Sequence, residues 1–204
     1  MNNNQMIGLC GRSGSGKGYV CKIFSEYGGL HLDTDNIYHS LLLPAGGEAS
    51  PCAAELAFAF GEEIFTAEKT VDRKKLSSIV FSDEEALERL NKITHKYIFN
   101  ETMRLFDSSD APFAVMDAPV LFESGFDKYC NFTVCVTADD ETCIRRITER
   151  DGISPERAKM RLENQISKEK LTELCDYEIV NNGTEDVRKQ IKDILKERGI
   201  ISEL

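Results

Sequence analysis

Met6-Ile7-Gly8-Leu9-Cys10-Gly11-Arg12-Ser13-Gly14-Ser15-Gly16-Lys17 is the stretch on which the fold turns. Met6 to Cys10 is a short apolar run that reads as a buried strand, and it passes directly into Gly11 to Lys17, a fit to G-x-x-x-x-G-K. Val20, Ile23, Phe24 and Tyr27 then recur at spacings of three and four, which predicts a helix stopped by Gly28-Gly29. In that context the glycines let the backbone come close to an anion, and the helix N-terminus adds partial positive charge. Arg12, Ser13, Gly14, Ser15, Gly16, Lys17, Gly18 and Tyr19 are therefore expected to bind a nucleotide phosphate chain, with Lys17 reaching the β- and γ-phosphates. An ordinary glycine-rich turn is the plainer reading; the agreement of motif and flanks speaks against it.

One position departs from the motif. After the Lys, the motif has Ser or Thr, whose hydroxyl ligates Mg²⁺; here it is Gly18. Water takes that ligand position, or another side chain such as Asp35 compensates, or the site is catalytically weakened.

Farther along, Leu30-His31-Leu32 is a short extended segment ending at Asp33, 36–43 reads as a helix, and 44–51 is a loop rich in Gly, Ala and Ser. From Cys52 to Phe106 the pattern is largely helical. Ser82 and Glu85 have the form of a capping box before Leu87, Leu90, Ile93, Tyr97 and Ile98 at core spacing. Phe113 to Met116, Phe132 to Val136 and Tyr177 to Val180 are further buried-strand candidates. Short strands alternating with helices predict an α/β fold, a parallel sheet covered on both faces. Asp33 and Asp35 after one strand, and Asp117 after another, would stand at the carboxyl edge where such sheets bind ligands. A carboxylate there accepts a hydroxyl proton, holds magnesium-bound water, or simply caps a helix.

Composition bounds the rest. The 204 residues are 41% hydrophobic, enough for one full-sized domain with an inserted lobe or lid. Lys plus Arg is 25 against 35 Asp plus Glu, a net charge of −10, which argues against a nucleic-acid partner. No apolar run approaches the ~18–20 residues of a membrane span, and Met1 to Gln5 carries no basic signal region. The seven cysteines are odd in number, scattered and without a C-x-x-C pair, so reduced thiols in a cytoplasmic protein are expected. Because His31, His39 and His95 are not near paired cysteines, no zinc site is expected.

The chain resembles the dephospho-CoA kinases, a nucleoside-monophosphate-kinase-like branch of P-loop proteins. Gly8 to Lys17 resembles the family's G-L-T-G-G-I-G-S-G-K, and Asp33-Thr34-Asp35 its D-A-D. Asp72-Arg73 to Leu76 with Val80-Phe81 resembles D-R-x-x-L and V-F, and Leu90 to His95 resembles L-x-x-I-x-H, with Lys96 in place of the usual Pro. Asp117 to Glu123 is similar to V-P-L-L-F-E, and Arg146 to Asp151 to the lid's R-x-x-x-R-D. Gln165 and Lys170 match single positions, and Asp176 to Gly183 is similar to the late segment bordering adenine.

The resemblance implies a P-loop NTPase-type three-layer fold in one domain over 1–204. Its core would be 5–43, 110–140 and 175–204, with a helical substrate lobe at about 52–108 and a lid at about 145–172. It implies phosphate transfer from ATP, with Mg²⁺, to the ribose 3′-hydroxyl of dephospho-CoA. Lys17, Arg146 and Arg150 would supply charge, and Asp35 or Asp33 the base. Asn182 and Gly183 would bind nucleotide; Asp35, Arg73, His95 and Asp117 would contact the acceptor. Asp33 and Asp117 would hold the metal through water. A monomer or weak homo-oligomer is expected. Two alternatives stay open: a related nucleotide or nucleoside kinase, and an ATP-binding regulatory module weakened at Gly18.

Overall fold

The computed structural model describes residues 5–81 and 83–202, and their contacts divide into two compact units, 5–32 with 109–202 and 33–108. The sequence reading carries the core to residue 43; the contacts divide it at 32/33. The strands are β1 (Gln5–Gly11), β2 (Leu30–Asp33), β3 (Phe113–Asp117), β4 (Phe132–Thr137) and β5 (Tyr177–Val180). They form one five-stranded parallel sheet in the order β2-β3-β1-β4-β5. The chain places β2 and β3 on one side of β1 before crossing to β4 on the other. The carboxyl ends of β1, β3 and β4 therefore flank the point where a crevice opens in such sheets. Leu9 stands opposite both Asp117 and Val134 in register.

Both faces are buried, as the unbroken apolar strands predict. Ile7, Leu9, Val115, Val134 and Ile179 pack against Val20, Ile23 and Phe24 of α1 (Lys17–Glu26) and Ile191 and Leu195 of α9 (Val187–Glu197). The alternate positions Met6, Cys10, Ala114, Met116 and Cys135 point the other way and are buried too. Helices α6 (Asp140–Asp151), α7 (Pro155–Glu163) and α8 (Lys168–Leu174) follow β4, with Cys143, Ile147, Ala158 and Leu162 forming a small core between the first two.

The unit at 33–108 is helical: α2 (Thr34–Leu41), α3 (Pro51–Phe60), α4 (Arg73–Val80) and the long α5 (Glu84–Asp107). Leu42, Leu56, Ile64, Leu76 and Ile93 form its centre. Each helix has a side-chain cap: Asp33, Ser50, Asp72 and Asp83 accept from backbone N–H groups of the first turn. The cap of α5 is Asp83, one residue beyond the expected Ser82, which lies outside the described residues. Leu87, expected in the core, is 44% exposed because it falls on the solvent side of α5. Lys96, in the position of the family's Pro, bonds Glu55 of α3 at 2.8 and 2.6 Å. No helix among the described residues is long and apolar enough to cross a membrane.

Candidate active site

Residues 11–16 carry the chain from β1 into α1. Gly14 and Gly16 have φ of +80° and +90°, a left-handed backbone that side chains rarely adopt. A Cβ at Gly14 would also come within 2.6 Å of the Cys143 carbonyl oxygen. Among the described residues, the N–H groups of Gly14, Gly16, Lys17 and Gly18 make no hydrogen bond, and α1 is the one α-helix without a side-chain cap. No acidic residue occupies its first turn. Uncapped N–H groups and an undiminished helix dipole converge on one spot, an anion site by construction.

The loop's shape is held from behind. Arg146 Nη1 donates to the carbonyls of Gly14 (3.2 Å), Ser15 (3.3 Å) and Asn181 (2.9 Å). Asn181, 6% exposed, donates Nδ2 to the same Ser15 carbonyl at 2.9 Å. Gln165 accepts the Ser13 N–H at 2.9 Å. Arg12 runs to Asp140 (2.7 Å) and the Leu162 carbonyl (3.3 Å) with its side chain nearly covered. Arg146 and Arg12, expected to touch phosphate, are thus in place as struts of the loop.

Lys17 and Cys21 are one turn apart on α1 and so share a face. Lys17 Nζ pairs with Asp117 Oδ1 at the end of β3. The other carboxylate oxygen receives the Cys21 thiol at 3.3 Å and lies 3.2 Å from His31 Nε2 on β2. Burial pushes the Asp117 carboxyl up, but His31, Lys17 and Cys21 together hold it below the ordinary Asp value.

Arg150 reaches the loop at Ser13 Oγ (3.4 Å), with its main partner Asp151, which also accepts from Arg161 at 2.7 Å. Asn182, expected at the nucleotide, is engaged with Asp139 N–H at 2.8 Å and with Glu185. Gly183 follows it with φ +104°. Tyr19 is 52% exposed, and Gly18 has nothing within 4 Å of where a Cβ would stand.

In the helical unit, Asp33 caps α2, both its oxygens taken by Asn36 at 3.0 and 2.7 Å. Asp35 is exposed in the first turn and has no hydrogen bond or ion pair among the described residues. Arg73 and Lys74, at the start of α4, edge a cavity of about 930 Å³ with Tyr38, Leu76, Phe81 and Leu90. His95 is half-buried on α5, and that burial pushes its pKa down. Cys21, His31 and Asn181 were not singled out from the sequence. Asn181 lies one residue before Asn182, which the family resemblance points to. Cys21 carried a signal in its i+4 spacing from Lys17; His31 carried none, since β2 pairing had to be known first.

The donors bear on a magnesium ion as follows. Gly18 offers no hydroxyl, Asp33 is closed by Asn36, and Asp117 shares its oxygen with a thiol and an imidazole. None of these three positions offers a hard, octahedral, oxygen-seeking cation an unengaged oxygen for direct coordination.

Comparison with known proteins converges on one group. The dephospho-CoA kinase family profile matches residues 5–186. A dephospho-CoA kinase of Fusobacterium nucleatum is 36% identical over 188 residues, 92% of this chain and 95% of the relative. That of Aquifex aeolicus is 35% identical over 193 residues, covering 94% and 96%. Among solved structures, a Thermus thermophilus protein superposes with a TM-score of 0.74 at 26% identity, covering 95% of this chain and 97% of that one. The dephospho-CoA kinase from Campylobacter jejuni gives 0.58, also at 26% identity, with the same coverage. Shikimate kinase from Acinetobacter baumannii, at 17% identity and a TM-score of 0.54 over 97% and 94% of the two chains, shares the fold. With the phosphate loop, the sheet order and the matched span in agreement, the chain belongs to the dephospho-CoA kinase family, a group of ATP-dependent kinases.

Proposed function

We propose that the protein transfers the γ-phosphate of ATP to the ribose 3′-hydroxyl of dephospho-CoA, giving coenzyme A and ADP, in the cytoplasm. The observation that carries the reading is the uncapped head of α1, where four backbone N–H groups and Lys17 await an anion. Phosphoryl transfer needs alignment and positive charge more than covalent help, and this loop supplies both. The Lys17 ammonium moves from Asp117 to the β- and γ-phosphates, and Arg150 is drawn to them from Ser13. Arg146, Asn181 and Gln165 act indirectly, keeping the N–H groups aimed. Asp35, the free carboxylate of the D-x-D pair, orients the acceptor hydroxyl and takes its proton. Asp33 serves as the cap that sets the first turn of α2. Arg73 and His95 contact the acceptor. Magnesium is expected as the chelate of ATP, neutralising phosphate charge, and no protein ligand is assigned to it.

A coupled assay for ADP release, offering dephospho-CoA beside a panel of nucleosides and nucleotides, tests this. Preference for dephospho-CoA is the expected result; preference for a nucleoside overturns it. Gly18 motivates the reading of a binding module with weak turnover. Because the position is open, Gly18→Ser should fold, and it should gain a few tenths of a kcal/mol of helix stability. A rise in turnover with that gain means a missing hydroxyl limits the wild-type rate. Stability gained at constant turnover means it does not.

A further inference from the structure

One oxygen of Asp117 gathers two side chains to which the proposed phosphate transfer gives no part. The Cys21 thiol lies 3.3 Å from Oδ2 and His31 Nε2 lies 3.2 Å from it. All three donor atoms fall within 4.8 Å of one another. Zinc bonds of about 2.3 Å to sulfur and 2.0–2.2 Å to nitrogen and oxygen put tetrahedral ligand–ligand edges at about 3.4–3.6 Å. The two short edges are already close to those lengths without an ion. Each donor stands on a regular element (α1, β2, β3), so the set is rigid, as a metal site requires. Cys21 and Asp117 are buried, at 2% and 7% exposure, while the His31 side chain is open to solvent and gives an ion its way in.

We infer that Cys21, His31 and Asp117 form a binding site for a thiophilic divalent cation, zinc foremost, with a fourth position left for water on the His31 side. A search for paired cysteines misses such a site because it has one thiol and its ligands come from three elements, one of them far along the chain. The chemistry balances simply. Zinc displaces the thiol proton of Cys21 to solvent and bonds the resulting thiolate. It also takes the lone pair of neutral His31 Nε2 and one oxygen of Asp117. No electron is transferred. Sulfur and imidazole select zinc over magnesium, whose preference is oxygen and water. Lys17 keeps the second carboxylate oxygen, and the local charge rises by one, which loosens its pair with Asp117. The site stands without the proposed reaction and is measured with no nucleotide present.

The reduced full-length protein titrated with Co²⁺ should develop a thiolate-to-cobalt charge-transfer band that saturates at one ion per chain and is bleached by Zn²⁺. Competition against a chromophoric chelator then gives the zinc affinity. Cys21→Ser should abolish the band, and Cys21→Ser and His31→Gln should each weaken zinc at least about tenfold. Because Cys21 is buried and a substitution there puts folding at risk, His31→Gln, at a solvent-facing position, is the independent test. Cys175→Ser is the control for the other thiol pair, Cys10 and Cys175 at 3.5 Å, and should leave band and affinity unchanged. No band in the wild type, a band lost only with Cys175, or a zinc affinity indifferent to His31→Gln would each overturn the assignment.

Discussion

Between Gly11 and Lys17 the backbone is gripped by Arg146, Asn181 and Gln165, side chains drawn from α6, from the end of β5 and from the segment after α7, while the loop's own Arg12 reaches out to the Leu162 carbonyl. The cavity of the helical unit has a looser border: Arg73 and Lys74 sit exposed in the first turn of a short helix, and Phe81 is 90% exposed. The difference follows from what each region has to hold. N–H dipoles stabilise phosphate charge only if they are aimed before it arrives, so their carbonyl side must be fixed in advance. A wide cavity edged by cations and an aromatic ring gains most of its binding from contacts that form as a ligand settles. Changes at the loop should therefore damage the fold and the anion site together, and changes in the helical unit should damage turnover or acceptor binding with the fold intact.

The sharpest probe of that contrast is Asp35→Asn. It should lower turnover by about 10²–10⁴-fold, the range for a lost general base, while nucleotide affinity and unfolding midpoint stay within error. An unaltered rate would move the role to Asp33 or to no carboxylate. Next comes Arg146→Ala, which removes a charged donor from three carbonyls. Urea unfolding should show a loss of about 1.5–3 kcal/mol, and calorimetry a weaker ATP affinity in parallel. A stable protein with normal ATP affinity would show that the loop holds its own shape. Arg73→Ala should raise KM for the acceptor about tenfold with kcat nearly constant, as for one lost charged contact of about 1.4 kcal/mol. A fall in kcat alone would place Arg73 in the transition state instead.

The smallest effect concerns acid. The folded Asp117 carboxyl lies below its unfolded value, so the unfolded chain binds the extra proton first as pH drops. Its stabilisation is complete above the unfolded pKa, near the ordinary 3.8, and disappears as pH falls through the folded one. Asp117→Asn should flatten the acid limb of a stability–pH curve below about pH 4, and a curve parallel to wild type would remove Asp117 from the account.

These predictions draw unequally on the sequence. The strand–turn–helix at Met6 to Tyr27 was legible because one apolar run, one motif and one period agree locally. The strands at Phe113, Phe132 and Tyr177 were legible for the same reason. The division of Cys52 to Phe106 into separate helices was not. Asp72 and Asp83 are ordinary acids until a backbone N–H is known to point at them. The proposal of Asp35 over Asp33 draws on the cap itself, since both are Asp and only Asp33 meets Asn36. Arg146 shows the deeper limit. Spacing marks it as one of a charged run, and only the meeting of α6 with the loop and the end of β5 turns it toward three carbonyls.

Asp151, bonded by Arg150 and Arg161 alike, has a kinetic consequence. In the proposed reaction Arg150 turns away toward an incoming triphosphate, and the acid it leaves would still be neutralised by Arg161. The hand-over would forfeit a single solvent-facing pair, a weak interaction in water. An arginine whose resting acid has a second cation behind it would, on that proposal, be borrowed and returned with little resistance from its partner.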